Sequence, residues 1–60
     1  MGEAENLLRE LIAWKDGEDL RALLCRAVTL LGPQIIVDLP AGPAEAREVL
    51  EEAVLDYLAR

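Results

Sequence analysis

A lone thiol and a run of carboxylates are the side chains of this 60-residue chain best suited to chemistry. Cys25 has Arg21 one helical turn before it and Arg26 beside it, and neighbouring cations can lower a thiol's pKa toward nucleophilic or redox reactivity. Such a reaction also needs a base or a resolving thiol. The chain has no histidine, no serine and no second cysteine. The carboxylates Glu45, Glu48, Glu51, Glu52 and Asp56 recur at helical spacing toward the C-terminal end. Acid–base hydrolysis needs two carboxyls in one shaped cleft with unlike environments, whereas these five would share one wet helix face. One cysteine without histidine is also too small a ligand set for zinc. We therefore expect no catalytic, cofactor-binding or metal-binding residue, and read Cys25 as an inert helical thiol whose change to serine would be nearly silent.

The elements that must position these residues start from a small, apolar, acidic chain. Sixty residues suit one domain, residues 1–60, near the lower limit for a stable core. Neither an internal disulfide nor zinc is on hand as a staple, yet 53% of residues are apolar. Small size, high apolar content and no staple together favour an oligomer. The net charge of −6, from twelve acidic and six basic residues, opposes binding to nucleic-acid phosphates and to an anionic membrane surface. It is compatible with a basic protein partner, and it also serves solubility. No stretch approaches the roughly 20 apolar residues needed to span a bilayer, and MGEAENLL lacks the basic start of a signal peptide. A free thiol without an export signal implies the cytoplasm.

Periodicity predicts three helices and one strand, in the order α–α–β–α. The first helix spans 3–15, with Ala4, Leu7, Leu8, Leu11, Ile12 and Trp14 on one face. Asp16 and Gly17 then separate it from a second helix over 17–31, Asp16 serving as its cap. Leu20, Leu23, Leu24, Ala27, Val28, Leu30 and Leu31 form that helix's broad apolar face, and Gly32-Pro33 stops it. A third helix over 43–59 opens on Pro43 and carries Ala46, Val49, Leu50, Ala53, Val54, Tyr57 and Leu58 toward the core.

Between the last two helices lies QIIVDL, residues 34–39, bounded by prolines and carrying three consecutive β-branched side chains. Such residues disfavour helix and suit a pleated surface. One strand cannot satisfy its own backbone groups, and the chain offers no second candidate. The expected fold is therefore mostly α with one short β-strand, forming a homodimer through antiparallel pairing of that strand, with helices packed around it. Ile35, Ile36, Val37 and Leu39 would form the dimer interface, and Val37→Pro would break it. A strand held for the sheet edge of another protein is the alternative.

Residues 35–42, IIVDLPAG, resemble the Walker B stretch of the MinD and ParA-like ATPases, in which an apolar strand ends in an aspartate before a proline-glycine turn. The resemblance covers eight residues, and it would assign Asp38 to a nucleotide's Mg²⁺. That family also requires a glycine-rich loop with its lysine, which is absent here, the only lysine being Lys15. Ribbon–helix–helix repressors also pair strands in a dimer, but they place the strand first and read DNA with its polar side chains. Here two helices precede the strand, and its residues are mostly apolar.

Two further residues stand out as partner contacts. Trp14, the only tryptophan, sits at the edge of the first apolar stripe, where a core-rim role competes with that of an interface anchor. Leu55 stands among charges on the third helix. The reading that results is a small, acidic, non-enzymatic interaction or regulatory module acting as a homo-oligomer, in an antitoxin-like, inhibitory or adaptor role. A structural or designed assembly domain without a ligand is the alternative, and a ribbon–helix–helix-like regulator a more distant one.

Overall fold

The first apolar stripe folds as its spacing dictates. In the computed structural model, which describes residues 2–60, helix α1 spans Glu3–Ala13 and buries Ala4, Leu7 and Leu11. The Gly2 N–H donates to Glu5 Oε1 at 3.0 Å, and Glu3 and Glu5 occupy the first turn, where the helix dipole favours negative charge. The helix ends two residues before the expected Lys15. Trp14 leaves the helical region (φ −63°, ψ 136°), and its indole N–H donates to the Glu18 carbonyl at 3.2 Å. The Lys15 N–H donates to Glu18 Oε1 at 2.8 Å, so residues 14–18 close on themselves as a turn around Gly17, whose φ is +102°.

Helix α2 spans Arg21–Leu31, starting later than the expected residue 17. The expected Asp16 cap does not form: the helix is capped at Leu20, which makes no side-chain cap bond, and Asp19 Oδ1 accepts the Arg21 backbone N–H at 3.0 Å. Leu23 and Ala27 are buried, and Gly32 terminates the helix at φ +106°, ψ 157°. Helix α3 spans Pro43–Ala59, the bounds that its proline start predicts, with Ala46, Leu50 and Val54 buried.

Pairings across the molecule fix the directions of the helices. Ala13 and Trp14 lie near Ala22 and Leu23, and Glu10 pairs with Arg26, so α1 and α2 form the expected antiparallel hairpin. Leu20 and Leu24 share a groove with Ala46 and Leu50, whereas Leu30 and Leu31 share one with Ala53 and Tyr57. Helices α2 and α3 therefore run the same way. The chain must return from the end of α2 to its start before α3 begins.

Residues 32–42 make that return, and here the expected strand is overturned. The segment holds one 3-10 turn, Pro33–Ile36, followed by a turn at Val37 and Asp38, and no strand occurs among the described residues. Without a pairing strand, the segment satisfies its backbone locally. The N–H groups of Ile35, Val37 and Leu39 donate to the carbonyls of Gly32, Gln34 and Ile36 at 3.5, 3.2 and 3.2 Å. The facing pattern changes with the backbone. Ile35 and Leu39, four residues apart, pack against the core, while Val37 is 83% exposed and Ile36 51%. In a strand, Ile35, Val37 and Leu39 would share one face. Antiparallel strand pairing is thereby excluded as the means of dimerisation, and the fold is all-helical, with the apolar run serving as a strap across the α2–α3 pair.

Candidate functional site

Cys25 is exposed on α2, and the cations flanking it in sequence are held elsewhere. The Arg21 guanidinium pairs with Asp19, Nε lying 3.2 Å from Oδ1, and that of Arg26 pairs with Glu10 across the hairpin. The Arg21 backbone N–H and then its guanidinium hold the Asp19 carboxyl below its usual value, while Asp19 raises Arg21 in return. The carboxylates of α3 do not converge. Glu51 pairs with Arg47 at 2.7 Å and Asp56 with Arg60 at 3.0 Å, one turn away in each case. Glu48 and Glu52 face solvent with no ion-pair partner among the described residues.

The two partner-contact candidates separate. Trp14 is 8% exposed, its ring covered by the core and faced by the Arg47 guanidinium 6.0 Å from the ring centre. With its indole N–H satisfied inside the molecule, Trp14 occupies the core rim. Leu55 is 52% exposed on α3, between charged neighbours.

Apolar surface lies open in two depressions flanking the strap. One, of about 340 Å³, is lined by Leu20, Leu24, Ile36, Leu39, Pro40 and Leu50, with Arg21 at its edge. The other, of about 220 Å³, lies at the far end of α2 and α3, where Leu30, Leu31, Ile35 and Tyr57 meet Gln34, Asp56 and Arg60. The expected interface residues thus divide. Ile35 borders the second depression, Ile36 and Leu39 border the first, and Val37 projects into solvent.

No protein-family model, curated protein or solved structure matches this chain.

Three exposed side chains escape the sequence reading, which places Ile12, Tyr57 and Leu58 on core faces. They are 62%, 42% and 42% exposed. The signal for the last two is helix length. Helix α3 has 17 residues against 11 in each of α1 and α2, and its last six residues, Leu55 to Arg60, are all exposed. No helix among the described residues is long and apolar enough to cross a membrane.

Proposed function

We propose that this chain is a non-enzymatic protein-interaction module that acts as a homo-oligomer in an adaptor or inhibitor role. One observation carries the reading: among the described residues, the chain exposes as many large apolar side chains as it buries. Leu7, Leu11, Trp14, Leu23, Leu50 and Val54 are inside, and Ile12, Ile36, Val37, Leu55, Tyr57 and Leu58 are outside. A 60-residue chain with so small a core gains most from covering that surface in an assembly. The reading sets the module in the cytoplasm, where Cys25 stays a free thiol.

A basic protein partner is a second reading, favoured by Leu55. This side chain stands on α3 beside the unpaired Glu48 and Glu52, so a partner presenting an apolar residue between cations would complement both features.

Solution mass across a dilution series, with far-UV circular dichroism on the same samples, tests the main reading. A species of about twice 6.6 kDa that dissociates on dilution supports it. A 6.6 kDa monomer, fully helical at every concentration, sinks it.

A further inference from the structure

The strap is held to the helices by very little. Among the described residues, 33–41 hydrogen-bond only to one another, to Gly32 and to the end of α2. The N–H groups of Ile35, Val37 and Leu39 donate to the carbonyls of Gly32, Gln34 and Ile36, all within the strap itself. The one side-chain bond, from Gln34 Nε2 to the Leu31 carbonyl, lies where the strap leaves α2. Asp38, its single charged residue, has no ion-pair partner among the described residues. What seats the strap is apolar packing by Ile35 and Leu39, both half-buried, while Ile36 and Val37 are exposed.

The helices are tied to one another without it. Leu7, Leu11, Leu50 and Val54, the largest fully buried side chains, all belong to α1 and α3. The Arg47 guanidinium over the Trp14 ring joins α3 to the end of α1, and the Glu10–Arg26 pair joins α1 to α2. Gly32 and Gly42 bracket the segment at the end of α2 and the start of α3, where a hinge can absorb a change of φ and ψ. Both apolar depressions are floored by α2 and α3, by Leu24 and Leu50 in one and by Leu30 and Ala53 in the other. Ile35 lines the second, and Ile36 and Leu39 line the first. The strap therefore runs between them over the α2–α3 seam.

We propose that residues 33–41 are a lid that lifts from α2 and α3 as one unit, on hinges at Gly32 and Gly42, while the three helices stay packed. Lifting withdraws Ile35 and Leu39 from the core and leaves every ion pair and every bond between helices in place. A segment held by few buried contacts opens at a lower free energy than the core beneath it. In the open form the two depressions join along the seam into one apolar groove, so the lid sets how much of α2 and α3 the molecule exposes. It is a property of the single chain and holds whether or not copies associate.

Native-state hydrogen exchange by NMR on the full chain, across a series of low urea concentrations, tests the lid. We expect the N–H groups of Ile35, Val37 and Leu39 to share one opening constant, about tenfold or more above that of the Leu11, Leu50 and Val54 N–H groups, and to depend little on urea. The core amides should open with the full urea slope of global unfolding. Leu39→Ala should speed exchange at the Ile35 N–H by about tenfold, although that N–H bonds to Gly32 and not to residue 39, because one unit carries both. Should Leu39→Ala fail to fold, Leu39→Val gives the same comparison with a smaller perturbation. Strap amides that share the opening constant and urea slope of the core overturn the lid, since the segment then opens only when the whole chain unfolds. Unequal constants within the strap, or an Ile35 N–H unmoved by Leu39→Ala, overturn it as well by reducing the motion to independent fraying.

Discussion

Replacing Gly32 with alanine tests whether the turn from α2 into the strap holds the fold together. Gly32 sits at φ +106°, ψ 157°, a conformation that residues with a Cβ rarely adopt. Forcing alanine into it costs about 1–3 kcal/mol. There is a steric term as well. A Cβ at position 32 would lie 2.3 Å from Gln34 Oε1 and 2.9 Å from its Cδ and Nε2, so the Gln34 side chain must move. Moving it breaks the bond that Gln34 Nε2 donates to the Leu31 carbonyl at 2.8 Å, worth about 0.5 kcal/mol at an exposed site. The sum is about 1.5–3.5 kcal/mol, against about 3–9 kcal/mol for the whole chain at typical stability per residue.

Urea unfolding followed by circular dichroism, at fixed protein concentration because self-association shifts apparent stability, measures this directly. The midpoint should fall with the slope unchanged. Adding Gln34→Ala to Gly32→Ala removes the collision but not the backbone strain, so the double variant should remain clearly below Gln34→Ala alone. Gly17→Ala is the contrast, because Gly17 also has positive φ (+102°) but nothing lies within 4 Å of the added carbon. It should cost less than Gly32→Ala. A Gly32→Ala protein within about 0.5 kcal/mol of wild type, the range of ordinary surface changes, would refute the strap turn as described.

Three further outcomes follow from the packing and the charges. Leu50→Ala, at a side chain with no exposure, should cost about 2–5 kcal/mol and leave much of the protein unfolded, as read by the urea midpoint. Within the strap, Ile35→Ala should cost about 1–3 kcal/mol because Ile35 packs on the core, while Val37→Lys should stay within about 0.5 kcal/mol; the opposite order would restore an inward-facing Val37. Because the folded state lowers the Asp19 pKa, the Asp19 contribution is present above the unfolded value near 3.9 and is lost as pH falls through the lower folded value. Carboxyl titration by NMR should therefore place Asp19 below the usual aspartate range, and Arg21→Ala should undo only part of the shift, since the backbone N–H is its largest cause. A midpoint at or above the usual value would contradict the bond to Arg21.

The sequence by itself determined the elements whose signals are local. The 3.6-residue recurrence of Ala4, Leu7 and Leu11, and of Ala46, Leu50 and Val54, states which face of a helix goes inward whatever it meets there. Pro43 set the start of α3 and Gly32 the end of α2 through backbone constraints that need no partner. The α1–α2 link was less legible: the sequence points to Asp16 as the cap, whereas α2 begins at Arg21 behind Leu20 with no side-chain cap. Trp14 leaves the helix and donates to the Glu18 carbonyl, and Asp19 accepts the Arg21 backbone N–H.

Only the tertiary structure decided what the Ile-Ile-Val run becomes. Strand preference is largely a preference for a pleated, paired surface, and a chain without a second strand offers none. The parallel course of α2 and α3 instead demands a return segment, and a 3-10 turn closes its hydrogen bonds locally while packing Ile35 and Leu39 against the core. Tyr57 and Leu58 tell the same story. Their spacing marks them as apolar-face residues, but burial depends on a neighbour being present at that height. All six residues from Leu55 to Arg60 are exposed, so the last turn of the stripe that periodicity assigned to the core emerges there as surface.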